Sequence, residues 1–227
     1  TIARLQGEFL DFYLPLVGQW KAPNIQSGAN MVRVVGRLAF RNPPTFNEFK
    51  SKFERAYEKV NRIIEGFAGN IQIYVISSTV GGTGSGFFLD IVAYLRHYLS
   101  HMLGRPHVPI KGILVTPDAL RNETAHFDRL CANTYSALKE LHHFLEGNEY
   151  ILSYTNELPN VRIDSTSIPT LLFLLTDKNE EGKIIVTRWE ELQEMVVEFL
   201  LCEIRAPFEA TRGQPRPLMG ENELRGE

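Results

Sequence analysis

The chain has little that would tie it to a membrane, to nucleic acid or to an oxidising compartment. Only two cysteines, Cys131 and Cys202, occur in 227 residues. That is too few for a disulfide framework, and each lies in a helix-like run, as expected of a small core residue in a reducing compartment. No apolar run approaches the roughly 18 residues of a membrane span, and the first residues lack the pattern of a secretory signal. There is no basic tail or stripe, and the net charge is −3, so nucleic acid is not an expected partner. Internal repeats and low-complexity tracts are missing too. The chain opens at Thr1 without an initiator methionine, as a fragment or processed product would. A cytoplasmic protein is expected. What remains is ordinary for a globular chain, with 44 % hydrophobic and 22 % charged residues, and the length suits one large α/β domain or two small ones.

Several chemistries are also missing their residues. His97 and His101 stand four apart on one helix face, but no His-Glu-x-x-His accompanies them, and they are expected as exposed helix residues. His142 and His143 sit late in a helix, where a cation complements the dipole. Cys131 has no histidine pattern to activate it. Around Ser85 the nucleophile-elbow pattern Gly-x-Ser-x-Gly fails, with Phe87 at the fifth place. Neither GxxxxGK[ST] nor GxGxxG with a downstream acid is found.

The most informative stretch is Ser78-Thr79-Val80-Gly81-Gly82-Thr83-Gly84-Ser85-Gly86. It joins a strand-like run, Ile71–Ser77, to an apolar helix-like run, Phe87–Leu95. Glycines at 81, 82, 84 and 86 let backbone N–H groups approach a ligand unshielded by Cβ. Thr83 and Ser85 add hydroxyls, and the following helix aims its positive end at the same place. The arrangement suits a phosphate chain; the alternative is a glycine-rich turn that holds no ligand.

Elsewhere, a loop-like run Gln26-Ser27-Gly28-Ala29-Asn30 leads into Val32–Phe40. After Asn42-Pro43-Pro44, Thr45 and Glu48 form a capping box for a helix. Its face carries Phe46, Phe49, Phe53, Ala56, Val60, Ile63 and Phe67, and Gly66 or Gly69 ends it. Val108–Thr116 reads as a second strand, ending in Pro117-Asp118, and a helix is expected from about Glu123 to Phe144, closed by Gly147. Ile168–Thr176 reads as a third buried strand, opening into the polar turn Asp177–Gly182. Thr187 and Glu190 would cap a last helix whose face carries Trp189, Leu192, Val196, Phe199 and Leu200. Near-continuous apolar strands alternating with helices predict a three-layer α/β fold, a mostly parallel sheet with helices on both faces. Ligands in such sheets bind at the carboxyl ends of the strands, and the three loops named share that rim. Residues 206–227, rich in Gly, Pro and charge, read as a loop or disordered tail.

With those loops placed, residues 26–205 resemble the GTP-binding domain of the tubulin/FtsZ superfamily, closest to the bacterial tubulin-like proteins that are neither FtsZ nor true tubulin. Gly81–Gly86, Gly-Gly-Thr-Gly-Ser-Gly, is similar to that family's phosphate turn, with Val80 standing where a smaller residue is common. The resemblance implies one domain over residues 1–205, whose first β–loop–α unit is not visible, since residues 1–25 offer only Gly7 and Gly18. It further implies GTP or GDP with Mg²⁺ as ligand. Gly81, Gly82, Thr83, Gly84, Ser85 and Gly86 would hold the α- and β-phosphates, and Gly28, Ala29 and Asn30 would face the terminal phosphate. Asp118 stands at the start of the ribose loop, and Asp128, Arg129 or Asn133 would lie near the sugar. Asn179, with Asp177 as the other candidate, would read the base. Self-association is implied to run head to tail, with a neighbouring subunit supplying a catalytic acid. Glu203 and Glu209 lie in that region, outside any Asn-x-Asp-x-x-Asp pattern. A non-polymerising nucleotide-holding scaffold is the other function considered, and an unrelated α/β enzyme using the turn for another phosphorylated ligand is a third.

Overall fold

The computed structural model describes Ala29 and residues 31–64, 71–121, 126–154, 158, 160–186 and 188–210. Gly28, Asn30, Phe67, the expected helix terminators Gly66 and Gly69, the capping Thr187 and residues 211–227 of the expected tail lie outside the described residues. The chain divides into two compact units, one running to Thr176 and one starting at Asp177.

The first unit opens with α1 (Arg33–Arg41) and α2 (Pro43–Ile64). Asn42 serves both: its N–H closes α1 on Leu38 O and Ala39 O, and its C=O accepts the Phe46 N–H at 3.0 Å. The expected cap at Thr45 is therefore displaced. Pro43 and Pro44 fit the first helical turn, where a missing N–H costs nothing, so α2 starts before Thr45 and Glu48 pairs with Lys52 at 2.6 Å instead. The expected core face holds for Phe46, Phe49 and Phe53 and then turns. Tyr57 is buried, while Ala56, Val60 and Ile63 are exposed. A step of four residues from Phe53 advances 40° round the helix and a step of three falls back 60°, so the stripe follows Tyr57.

The sheet has the order β1 (Ile73–Ser78), β2 (Ile110–Val115), β5 (Leu171–Leu175), all parallel, as the sequence predicts. The central β2 is covered on both faces, with Ile110, Ile113, Leu114 and Val115 buried. On the flanking strands Ile76, Leu171 and Leu174 are exposed. Between β1 and β2 runs α3 (Gly82–His97), buried almost all round through Phe88, Leu89, Val92, Ala93, Tyr94 and Leu95. It continues as one π-helical turn, Tyr98–Met102, before Gly104 reverses the chain at φ +63°. After β2 come a 3₁₀ turn (Pro117–Leu120) and α4 (Phe127–Leu145), which Gly147 closes at φ +90°. The polar stretch after α4 contains an antiparallel pair, β3 (Tyr150–Leu152) and β4 (Val161–Ile163), which its three-residue alternations are too short to announce.

The second unit holds a turn closed by the Lys178–Ile184 bridge and α5 (Trp189–Ala210), whose covered side carries Trp189, Leu192, Val196, Phe199 and Leu200. Cys202 is exposed and Cys131 half-buried. The expectation of two core cysteines fails for Cys202, which lies off that covered side.

Core and charge meet at Asp90, the lone acid in the apolar run of α3, where it is fully buried. Arg37 Nε donates to Asp90 Oδ2 at 2.7 Å, and Arg41 donates to Oδ1 through Nε at 3.0 Å and its terminal nitrogen at 2.8 Å. The Tyr154 hydroxyl bonds the Asp90 carbonyl at 3.0 Å. Burial pushes the carboxyl up, and the charges of Arg37 and Arg41 with the bonds from Arg41 and Tyr154 outweigh it, holding Asp90 below the ordinary aspartate range. Burial and the neighbouring carboxylate raise Tyr154. Beside this cluster Phe46 stacks on Tyr154, centroids 4.6 Å apart, and meets Tyr94 edge-on at 5.2 Å.

Removing one member of such a buried pair strands the other charge, so Asp90→Ala is expected to lose about 3–5 kcal/mol in denaturant unfolding. A folded-state carboxyl held low contributes stability above its unfolded pKa, near 3.9, and loses it as pH falls through the folded value. Stability should therefore decline on acidification below about pH 4, and Asp90→Asn should flatten that part of the profile.

Candidate functional site

The carboxyl ends of β1, β2 and β5 lie along one edge of the sheet, and the chain leaves β1 there through Thr79, Val80 and Gly81. Thr79 anchors the exit. Its N–H donates to Val115 O at 3.0 Å, and its hydroxyl lies 2.9 Å from the same carbonyl and 2.8 Å from the Thr134 hydroxyl on α4. Gly81 is the N-cap of α3 with φ −81° and ψ 160°, and no side chain caps the helix. The first N–H groups of a helix have no partner within it, so this uncapped end presents donors and the positive pole of the dipole together.

The glycines divide into two kinds. A Cβ on Gly82 would stand 2.4 Å from Val32 N, one on Gly84 2.7 Å from Ser78 O, and one on Gly86 2.3 Å from Arg33 O. Gly36 of α1 is pressed equally hard, 2.1 Å from Gly82 O. These four let backbones pack on one another. Gly81 alone of the turn has open space where its Cβ would stand. The sequence pattern shows four glycines in six residues, and packing separates the one with open space beside it.

Ser85 is buried, and its hydroxyl donates to Gly81 O, while its carbonyl accepts Arg33 Nε at 3.2 Å and the Arg33 terminal nitrogen at 3.0 Å. That side chain shapes the turn from within. Thr83 is exposed. Arg33 also meets Glu140 of α4 at 2.8 Å. The cavity behind the turn, lined by Arg33, Ser78, Thr79, Ser85 and Glu140, measures about 10 Å³, one water at most. That space is too small for a phosphate group, and the open side of the turn is the one beside Gly81. The far larger groove, about 550 Å³, is lined by Arg96, His97, His101 and residues of the β3–β4 region, at the opposite end of a helix some 24 Å long by its rise per residue. There the two imidazoles stand 4.6 Å apart, and burial followed by His101 lowers His97. His101 is exposed as expected and His97 half-buried.

The other expected residues distribute unevenly. Ala29 is buried, and its carbonyl accepts the Val32 N–H at 2.8 Å across a turn in which Met31 takes φ +59°. A non-glycine there costs on the order of 1 kcal/mol. Asn133 reaches both loops: its amide nitrogen lies 2.9 Å from Met31 O and 2.8 Å from Val80 O. Asp128 and Arg129 are exposed on α4. Asp118 lies in the 3₁₀ turn after β2 and pairs with Arg121 at 2.6 Å. Asn179 belongs to the second unit, where its N–H donates to Lys183 O at 3.0 Å and its Oδ1 accepts the Lys183 N–H at 2.9 Å; Asp177 is buried in the same turn, its carbonyl accepting the Ile185 N–H at 2.8 Å. The structure thus gathers Ala29, Asn133 and the glycine turn. Arg33, Gly36, Asp90 and Glu140 support that cluster without having been expected, although an arginine every fourth residue in an apolar run and one acid inside an apolar helix were signals for them.

A parallel α/β core with an uncapped glycine-rich helix start at its carboxyl edge defines the broad class. The family model for tubulin-like proteins matches residues 13–223. The chain belongs to the tubulin-like family. No curated protein and no solved structure matches it. Among the described residues no helix is long and apolar enough to cross a membrane.

Because their added methyls meet backbone, Gly36→Ala and Gly86→Ala should each cost at least about 2 kcal/mol in chemical denaturation, whereas Gly81→Ala should stay within about 1 kcal/mol. Equal losses at all three would contradict the division drawn here.

Proposed function

We propose that the chain binds GTP or GDP at the outer side of the glycine turn. One observation carries the reading: the first turn of α3 is uncapped while its Gly81 corner stays open, in a chain of the tubulin-like family, which typically binds GTP. The N–H groups of Gly81, Gly82, Thr83 and Gly84, with the Thr83 hydroxyl, would hold the α- and β-phosphates. Ser85 and Gly86 contribute by shaping the turn. Gly28, Ala29 and Asn30 would face the terminal phosphate, and Asp118 would lie near the ribose. Among the described residues no three His, Cys, Asp or Glu side chains form a metal-binding group. A Mg²⁺ ion bound with the nucleotide would neutralise charge on its phosphates.

Hydrolysis on this reading follows head-to-tail self-association, a neighbouring subunit supplying the acid that positions water. Heterologous contacts of that kind make filaments when the rotation does not close. A second reading, a nucleotide-holding scaffold without hydrolysis, is favoured by α5, where Glu203 and Glu209 stand outside any Asn-x-Asp-x-x-Asp pattern. Turnover per subunit separates the two. A rise with protein concentration supports polymerisation, and a flat or zero rate supports the scaffold.

The site itself is tested by Gly81→Asp. Aspartate is a favoured N-cap residue, and Gly81 already has extended backbone, so stability should hold or rise by a few tenths of a kcal/mol. Its carboxylate would occupy the phosphate position, and calorimetry in Mg²⁺ should show GTP binding lost. A folded Gly81→Asp chain that binds GTP like the parent would refute the site, and preference for ATP over GTP would refute the base assignment.

A further inference from the structure

Asn133 is half-buried on α4 and places one amide nitrogen between two carbonyls from separate loops, Met31 O at 2.9 Å and Val80 O at 2.8 Å. Both partners are acceptors, so only the NH₂ end of the amide satisfies them, and it spends both hydrogens. Each bond fixes a peptide plane. In a trans peptide the C=O and the following N–H point in opposite directions, so holding Val80 O on α4 turns the Gly81 N–H away from α4. Gly81 is the corner with open space beside it. At the other loop, Met31 is the one non-glycine with positive φ among the described residues. Its conformation is held by the Ala29–Val32 turn bond on one side and Asn133 on the other.

We propose that Asn133 is a positioning residue, not a sugar contact: it aims the Gly81 N–H and locks the turn at Met31 against the glycine turn, so that both meet a ligand as one preformed surface. The geometry stands by itself; its consequence for affinity rests on the nucleotide reading above. With both amide hydrogens committed, Asn133 has only its Oδ1, an acceptor, to offer a ribose hydroxyl. The side chain needed is short, uncharged and doubly donating, which asparagine supplies and aspartate of the same shape does not.

The test uses the full chain and two readouts. Hydrogen exchange without nucleotide compares the parent with Asn133→Ala. Peptides covering residues 29–32 and 79–84 should exchange about five- to tenfold faster in the variant, the loss of one neutral hydrogen bond at each loop. Peptides in the second half of α4 should stay unchanged. Adding Met31→Gly should recover part of the protection at 29–32, since glycine holds a positive φ unaided. Should Asn133→Ala not fold, the isosteric Asn133→Asp carries the comparison. Unchanged exchange at both loops would overturn the proposal. In the second readout GTP and 2′-deoxy-GTP are titrated into parent and variant. Positioning predicts that both weaken together, about tenfold, with their ratio preserved, and a ratio that collapses to one in the variant would instead assign Asn133 to the sugar. A parent chain that binds neither nucleotide would sink the nucleotide reading, while the exchange data would still decide the role of Asn133.

Discussion

The structure depends on how closely α1 lies against the first two turns of α3. Gly36, Gly82 and Gly86 bring backbone against backbone there, and a Cβ added to any of them would stand 2.1 to 2.4 Å from a facing backbone atom, too close for another residue. Backbone-to-backbone seating of this kind is unforgiving, because neither side has a rotamer to give. It ties Val32, just before α1, to Gly82 at the start of α3, while Asn133 links Met31 O and Val80 O. The carboxyl edge of the sheet thereby gains a two-loop surface from helices that pack behind it.

Charge fixes the register of that seating. Arg33, Arg37 and Arg41 fall every fourth residue along α1 and meet Ser85 O, Glu140 and Asp90 on its neighbours. A slide of one residue would rotate each guanidinium by 100° and leave Asp90 buried without its partners, a cost of several kcal/mol. Apolar packing alone tolerates such slips more readily. The buried cluster therefore supplies specificity, and the cap-free helix end above it is free to face outward.

The sheet and its helices were legible because buried parallel strands are short apolar runs punctuated by glycine and proline, and Ile71–Ser77, Val108–Thr116 and Ile168–Thr176 show that pattern. The β3–β4 pair was not, since three residues carry too little alternation to separate a strand from a loop. The α2 cap was misplaced because the Thr45–Glu48 pattern competes with a proline pair that starts a helix equally well. For the glycine turn, the sequence located the segment but could not divide it. Whether a glycine is there for a ligand or for a neighbouring backbone depends on what packs against it, and Gly82, Gly84 and Gly86 prove to be of the second kind. Asn133 was one of three helix residues with equal standing, and only the rotation of α4 singles it out from Asp128 and Arg129.

Amide spectra of the isotopically labelled chain, titrated with a slowly hydrolysed GTP analogue in Mg²⁺, report whether the outward donors at the start of α3 receive a phosphate chain. The largest shifts are expected at Gly81, Gly82, Thr83 and Gly84, smaller ones at Ala29 and Met31, and none at Gly104 and Gly147, which lie in turns at the far ends of α3 and α4. Saturable binding that leaves Gly81–Gly84 unmoved would contradict that expectation.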